Sequence, residues 1–186
     1  MTVFEIVFLG ITMIWLVEFA LFRNRMSSTD EGKLERKSFP YILLAVGVTI
    51  VGTLMMRETE IGVIHQQILW WAGLVLYGYG VFLRYYGILH LREQFTRDVS
   101  VREGDRLVSS GPYQRLRHPL YTGLLFIVVG FCLGVGNVWT AVVGGGWVAL
   151  TLLHRIRIEE AMLIDAHGKQ YREWCEGRYR LIPFVY

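Results

Sequence analysis

The chain has 186 residues, 53% hydrophobic and 19% charged, with a formal net charge of +3. A mean hydropathy of +0.38 and several long uncharged runs exclude an ordinary soluble domain and indicate an integral membrane protein. The small basic surplus is no nucleic-acid footprint, which needs a folded basic face with a reading element.

A bilayer core takes about 20 apolar residues as helix. The first such run, Val3–Phe22, lacks a basic start and carries Glu5 and Glu18. Arg23-Asn24-Arg25 follows it instead of a small-residue cleavage site, so a retained helix is expected rather than a removed signal peptide. The second and third spans are expected at Phe39–Met56 and Ile68–Leu89. From Pro119 to His154 no side chain is charged. That run reaches about 54 Å as helix, too long for one crossing. Gly134-Val135-Gly136-Asn137 supplies turn residues near its middle, so two short spans in a hairpin are expected. The fold class is therefore all-α: a single polytopic membrane domain over residues 1–186, with about five transmembrane helices and a C-terminal helical tail.

Charge in the connections orients the chain. Arg23, Arg25, Lys33, Arg36 and Lys37 follow the first span, whereas the next loop offers Arg57 beside Glu58 and Glu60. The long connection after span three is basic again (Arg84, Arg92, Arg97, Arg102, Arg106, Arg115, Arg117), and so is the tail from Arg155 to Arg180. Basic loops stay cytoplasmic, which puts the N-terminus outside and the two chemistry-rich stretches, Arg92–His118 and Arg155–Tyr186, together in the cytosol. Trp70, Trp71 and Trp139 are expected at interfaces. Cys132 and Cys175 form no disulfide framework, and no histidine has metal-ligand spacing, so no metal is expected.

Two stretches carry the chemistry. In "SSGPYQRLRHPLYTG", residues 109–123, Ser109, Ser110 and Gly111 can cap a helix that starts at Pro112. Pro119 biases His118 away from helical geometry, so that helix is about one turn long. Pro119 then starts span four, whose free N–H groups attract carboxylates or phosphates, with Arg115, Arg117 and His118 as further donors. Spacing alone favours an interfacial anchor over such a pocket. In the tail, Arg155 and Glu159 are four apart and share a helical face, with Glu160 one step round. An exposed intrahelical ion pair is the plain reading, but acidic groups within a turn of a membrane are costly and usually functional.

Taken together, "LVSSGPYQRLRHPLYTG", Gly130, Asn137, "RIRIEE", "HGKQY" and "RLIP" resemble the isoprenylcysteine carboxyl methyltransferase family, whose pattern the phospholipid methyltransferases partly share. The resemblance covers about residues 90–184 and leaves the first two helices with length and topology. It implies methyl transfer from S-adenosylmethionine to a lipophilic substrate, small or lipid-modified, entering from the bilayer. A carboxylate acceptor fits best, and a phospholipid amine is the alternative.

Position by position, the resemblance makes Leu107 and Val108 backbone contacts to adenosine and Tyr113 a cofactor contact. His118, Pro119, Leu120 and Tyr121 then close on the methionine and ribose portions. Glu159, with Glu160 beside it, is the acidic cofactor contact, and Arg155 meets the substrate. Arg155 and Glu159 are the expected catalytic pair. Family members often carry a histidine ahead of the "LV" stretch, where this chain has Asp105-Arg106, so the adenosine contacts there stay open. Two other classes compete: an NADPH-dependent sterol-type membrane reductase, and a non-enzymatic scaffold that keeps a binding cassette. Paired glutamates suit a cationic sulfonium better than a polyanionic dinucleotide.

Overall fold

The computed structural model describes residues 2–21, 33–35, 38–91, 99–101 and 107–185. Five long helices dominate: α1 (Val3–Leu21), α2 (Ser38–Glu58), α3 (Gln67–Leu91), α4 (Pro119–Gly134) and α5 (Val138–His167). A short α6 (Lys169–Cys175) follows. Their bounds fall within one or two residues of the first three expected spans. Among the described residues, the expected all-helical chain departs in an antiparallel ribbon of β1 (Lys33–Glu35) and β2 (Val99–Val101). Each strand is three residues long, and Val99 and Val101 are β-branched residues that favour extended backbone.

By length and composition, α2 and α5 can cross a membrane, and α4 is a shorter apolar helix. The helices are apolar on both sides. Tyr77, Ile127, Val128, Val148 and Leu152 fill the interior, while Leu44, Val75, Val142 and Leu150 face outward and exposed. An apolar outer belt of this extent is what lipid contact requires and what water penalises. The helices have no amphipathic stripe because both environments are apolar.

Packing is closest between α3 and α4, where glycines remove the side chains that would hold the backbones apart. A Cβ on Gly130 would stand 2.4 Å from the Tyr77 amide nitrogen, and one on Gly73 2.4 Å from that of Gly134. The expected hairpin turn is present: α4 ends at Gly134 and α5 begins at Val138. Asn137 caps α5 by accepting from the Thr140 amide at 3.0 Å, and its Nδ2 donates to the Ile61 carbonyl at 2.8 Å. Trp70 Nε1 donates to the Ile64 carbonyl at 2.8 Å. The α2–α3 and α4–α5 connections thus meet at one end of the bundle. The start of α2, the ends of α1 and α3, and the start of α4 lie at the other.

Arg84 corrects the charge count of the loops. It lies inside α3, where its guanidinium pairs with Glu18 of α1, which is 3% exposed. Arg92, Arg97, Arg102, Asp105 and Arg106, like most of the basic loop after α1, lie outside the described residues.

Candidate active site

The 109–123 stretch folds as a 3-10 turn at Gly111–Gln114, then breaks and restarts as α4 at Pro119. Pro112 stands at the start of the turn, as expected, but Ser110 makes no side-chain cap bond. Ser109 Oγ instead accepts from Trp174 Nε1 at 2.8 Å. Gly111 has φ +57°, and a Cβ there would stand 2.5 Å from His90 Nε2, so the turn tolerates only glycine.

The tail folds back over this turn. After α6 the chain runs beside residues 115–117, with the Arg117 amide donating to the Tyr179 carbonyl at 2.8 Å and the Tyr179 amide to the Arg115 carbonyl at 2.9 Å. Arg178 Nε donates to the Tyr113 carbonyl at 2.9 Å, and its guanidinium lies 4.6 Å from the Trp174 ring centre. Cassette and tail, 60 residues apart, become one unit.

Within it, His118 stands between two carboxylates. Its Nδ1 lies 3.7 Å from Glu159 Oε2 and its Nε2 3.4 Å from Glu160 Oε1. The ring stacks on Tyr121, centroids 5.6 Å apart. The Tyr121 hydroxyl donates to Glu159 Oε2 at 2.7 Å and accepts from Arg155 Nε at 2.7 Å. Arg155 is buried, donates through Nη1 to Ser38 Oγ at 3.0 Å, and lies about equally far from the rings of Phe39 and Tyr121. In place of a direct, exposed Arg155–Glu159 ion pair, the plain alternative for that spacing, a phenol bridges the two groups.

Glu160 has a different setting. Its carboxylate is buried and meets Arg180 Nη2 at 2.7 Å, Arg180 Nε at 3.1 Å and Arg117 Nη1 at 3.4 Å. Burial alone would raise its carboxyl, but hydrogen bonds and charge from His118 and Arg180 outweigh that and hold it at about 2. The anion expected at the start of α4 is thus supplied by the chain itself.

The expected site residues His118, Tyr121, Arg155, Glu159 and Glu160 form one cluster. Pro119 and Leu120 lie between its members on the first turn of α4. Tyr113 is buried close by, its hydroxyl pushed well above the usual phenol range by burial and then by the charges of Glu159 and Tyr121. Leu107 and Val108 run half-buried just ahead of the 3-10 turn.

Sequence reasoning missed several contributors. Ser38 and Phe39, which belong to α2, give that helix more than length and topology. Arg178 and Arg180 enter the sequence reading only as topology signals, whereas Arg117 is expected there as a donor at the start of α4. Tyr171 was missed as well. It is buried near Glu160 and Glu159, and among the described residues its hydroxyl has no partner beyond the neighbouring Cys175 thiol. The alternating Arg178-x-Arg180 was the available signal for a tail that folds inward.

A model of the isoprenylcysteine carboxyl methyltransferase (ICMT) family matches residues 71–165, half of the chain. The chain belongs to the ICMT family. Among similar relatives, protein-S-isoprenylcysteine O-methyltransferase B of Arabidopsis thaliana is 33% identical over 121 residues, covering 62% of this chain and 61% of that protein. The Dictyostelium discoideum protein-S-isoprenylcysteine O-methyltransferase is 30% identical over 121 residues, 63% of this chain and 51% of that protein. The chain thus spans between half and two thirds of the length of these relatives. The fold is similar to that of a eukaryotic intramembrane Ras methyltransferase ICMT, with a TM-score of 0.73 and 23% identity over 96% of this chain and 67% of that one. ICMT membership covers the cluster on α4 and α5, whereas Ser38, Arg178 and Arg180 lie outside the matched segment.

Proposed function

We propose that the chain is a membrane methyltransferase that moves a methyl group from S-adenosylmethionine to the carboxylate of a lipophilic acceptor, with a prenylcysteine as the acceptor class. Family membership supports the class. The observation that carries the chemistry is the Tyr121 hydroxyl, shared at 2.7 Å by Arg155 and by Glu159. One phenol ties the proposed acceptor-binding charge to the proposed donor-binding charge.

The residues fit the donor. Glu159 is half-exposed and offers a carboxylate to a cationic amino acid portion or to ribose hydroxyls, and the buried Tyr171 hydroxyl, with only the weak Cys175 thiol as partner among the described residues, has hydrogen-bonding capacity to spare. His118, Tyr113 and the backbone of Leu107 and Val108 would line the rest. Glu160, held by Arg117 and Arg180, takes a positioning role in place of the direct contact expected for it. S-adenosylmethionine supplies an already activated methyl, so a carboxylate acceptor needs alignment and loss of water, not a general base. Arg155 provides alignment. It carries a fixed charge in a dry position, oriented by Tyr121 and Ser38 and flanked by the Phe39 and Tyr121 rings.

The five helices are read as five spans, the basic connections favour the cytosolic face for the cluster, and a lipophilic acceptor would approach sideways from the bilayer. Residues 1–186 act as one membrane unit, with 90–186 carrying the donor site. Calorimetry on purified protein with S-adenosylhomocysteine and with NADPH tests the donor. Binding of NADPH alone overturns the proposal in favour of a reductase, and binding of neither favours a scaffold. Methylation of an N-acetyl-S-prenylcysteine but not of phosphatidylethanolamine is the expected acceptor result, and the reverse makes the enzyme an amine methyltransferase.

A further inference from the structure

Glu18 precedes the segment matched by the family, and the chemistry above uses neither it nor Arg84. Ionisable side chains among apolar helices lose their hydration, and they persist where good geometry offsets that loss. Arg84 reaches Glu18 as a fork. Nε donates to Oε2 at 2.8 Å and to Oε1 at 3.1 Å, and Nη2 also donates to Oε1. So far this is a staple between α1 and α3.

The remaining terminal nitrogen points elsewhere. Arg84 Nη1 donates to the carbonyl oxygen of Leu120 at 3.2 Å. Leu120 is the second residue of α4, directly before Tyr121. One turn on, a Cβ at Gly123 would stand 2.7 Å from Arg84 Cγ, so the α4 backbone lies against the arginine stem itself. At the start of α4 the His118 carbonyl accepts from the Tyr121 and Thr122 amides, and the Thr122 hydroxyl donates to the Leu181 carbonyl, but two of the usual ties are missing. Pro119 has no N–H, and His118 at the cap position makes no side-chain cap bond. From the cytosolic side, Glu160 faces His118. From the bundle side, Arg84 holds the next residue but one.

We propose that Arg84, oriented by Glu18, is a positioning residue that fixes the first turn of α4 and so sets His118 and Tyr121 against Glu159, Glu160 and Arg155. The clamp stands on geometry alone, and its consequence for catalysis rests on the proposed methyltransferase reading. A lysine at position 84 has no fork, so it can serve Glu18 or Leu120 but not both in this geometry.

The test uses the full chain in lipid nanodiscs, with Glu18→Leu/Arg84→Met, Arg84→Lys and Glu18→Gln. Apolar residues of similar size commonly replace a buried ion pair without loss of fold, so the double variant should keep its thermal midpoint. Amide exchange over residues 118–125 should nevertheless quicken by about tenfold or more, the factor carried by one lost charge-assisted hydrogen bond. Exchange over 138–150 should stay as in the wild type. Turnover should fall by a similar factor with a smaller change in KM, and Arg84→Lys should recover only part of it. Wild-type exchange over 118–125 in the double variant overturns the inference and leaves a helix staple. If the double variant fails to fold, Glu18→Gln decides: the loosened arginine should quicken the same amides, and unchanged exchange overturns the inference. A wild-type protein that fails to bind S-adenosylhomocysteine sinks the methyltransferase reading and leaves the exchange result standing.

Discussion

A phenol between a guanidinium and a carboxylate accepts from one and donates to the other, so Tyr121 transmits a change at either partner. Arg155→Ala should cost turnover about 2–4 kcal/mol, the size of a charged hydrogen bond lost from a dry site, with little change in donor affinity. Glu159→Gln should weaken S-adenosylhomocysteine binding first. Tyr121→Phe should do some of both, and titrations with single-turnover methylation on the same variants would show it. A Tyr121→Phe variant with wild-type behaviour in both assays removes the bridge from the mechanism. Glu160 makes a pH prediction. Its carboxyl is held at about 2, below the ordinary 4.5, so its contribution to stability is complete above 4.5 and is lost as pH falls from there toward 2. The thermal midpoint of the wild type should drop through that window, while Glu160→Gln starts lower and drops less. Equal acid sensitivity of the two would place the acid-labile group elsewhere.

At the scale of elements, glycine decides how closely the helices approach. Gly130 faces the backbone of α3. Gly130→Ala must therefore move a backbone and should cost about 1–3 kcal/mol, as overpacking does elsewhere. Gly146→Ala, with open space at its Cβ, should be tolerated. Thermal midpoints in one detergent compare the two, and equal midpoints would contradict the close α3–α4 contact. α5 shows why a helix boundary can hide a functional one. It runs unbroken through His167, but its uncharged part ends at His154, and the next turn begins the charged cluster. The bend comes later, at Gly168, whose φ of +54° suits glycine.

For the whole molecule, side of membrane and side of bundle are separate questions. Residues 115–118 and the tail share one end of the bundle, and the 59–66 connection occupies the other. Asn137 is fully buried and useless as a labelling site, whereas Glu60 and Lys169 are exposed. In a Cys175→Ser background, an impermeant thiol reagent applied to intact cells should label Glu60→Cys and spare Lys169→Cys. Labelling of Lys169→Cys from outside would invert the proposed orientation without touching the site itself.

Hydropathy alone was enough to place the helices, because a long, mainly apolar run is intelligible without knowledge of its neighbours. The Gly-Val-Gly-Asn turn was legible for the same local reason, and so was Pro119 as a helix start. The candidate site was half legible: RHPLY and EE name residue types whose chemistry needs company, and the spacing of Arg155 and Glu159 puts them on one face. Which partner each takes was decided in three dimensions. Tyr121, 34 residues before Arg155, separates the pair that spacing had joined. Arg180 and Arg117 close on Glu160, and Ser38 brings α2 to the site. Arg84 looked like a loop charge until α1 supplied Glu18. A charge buried in a bundle needs a counter-charge from another helix, and no local pattern says which helix will be adjacent.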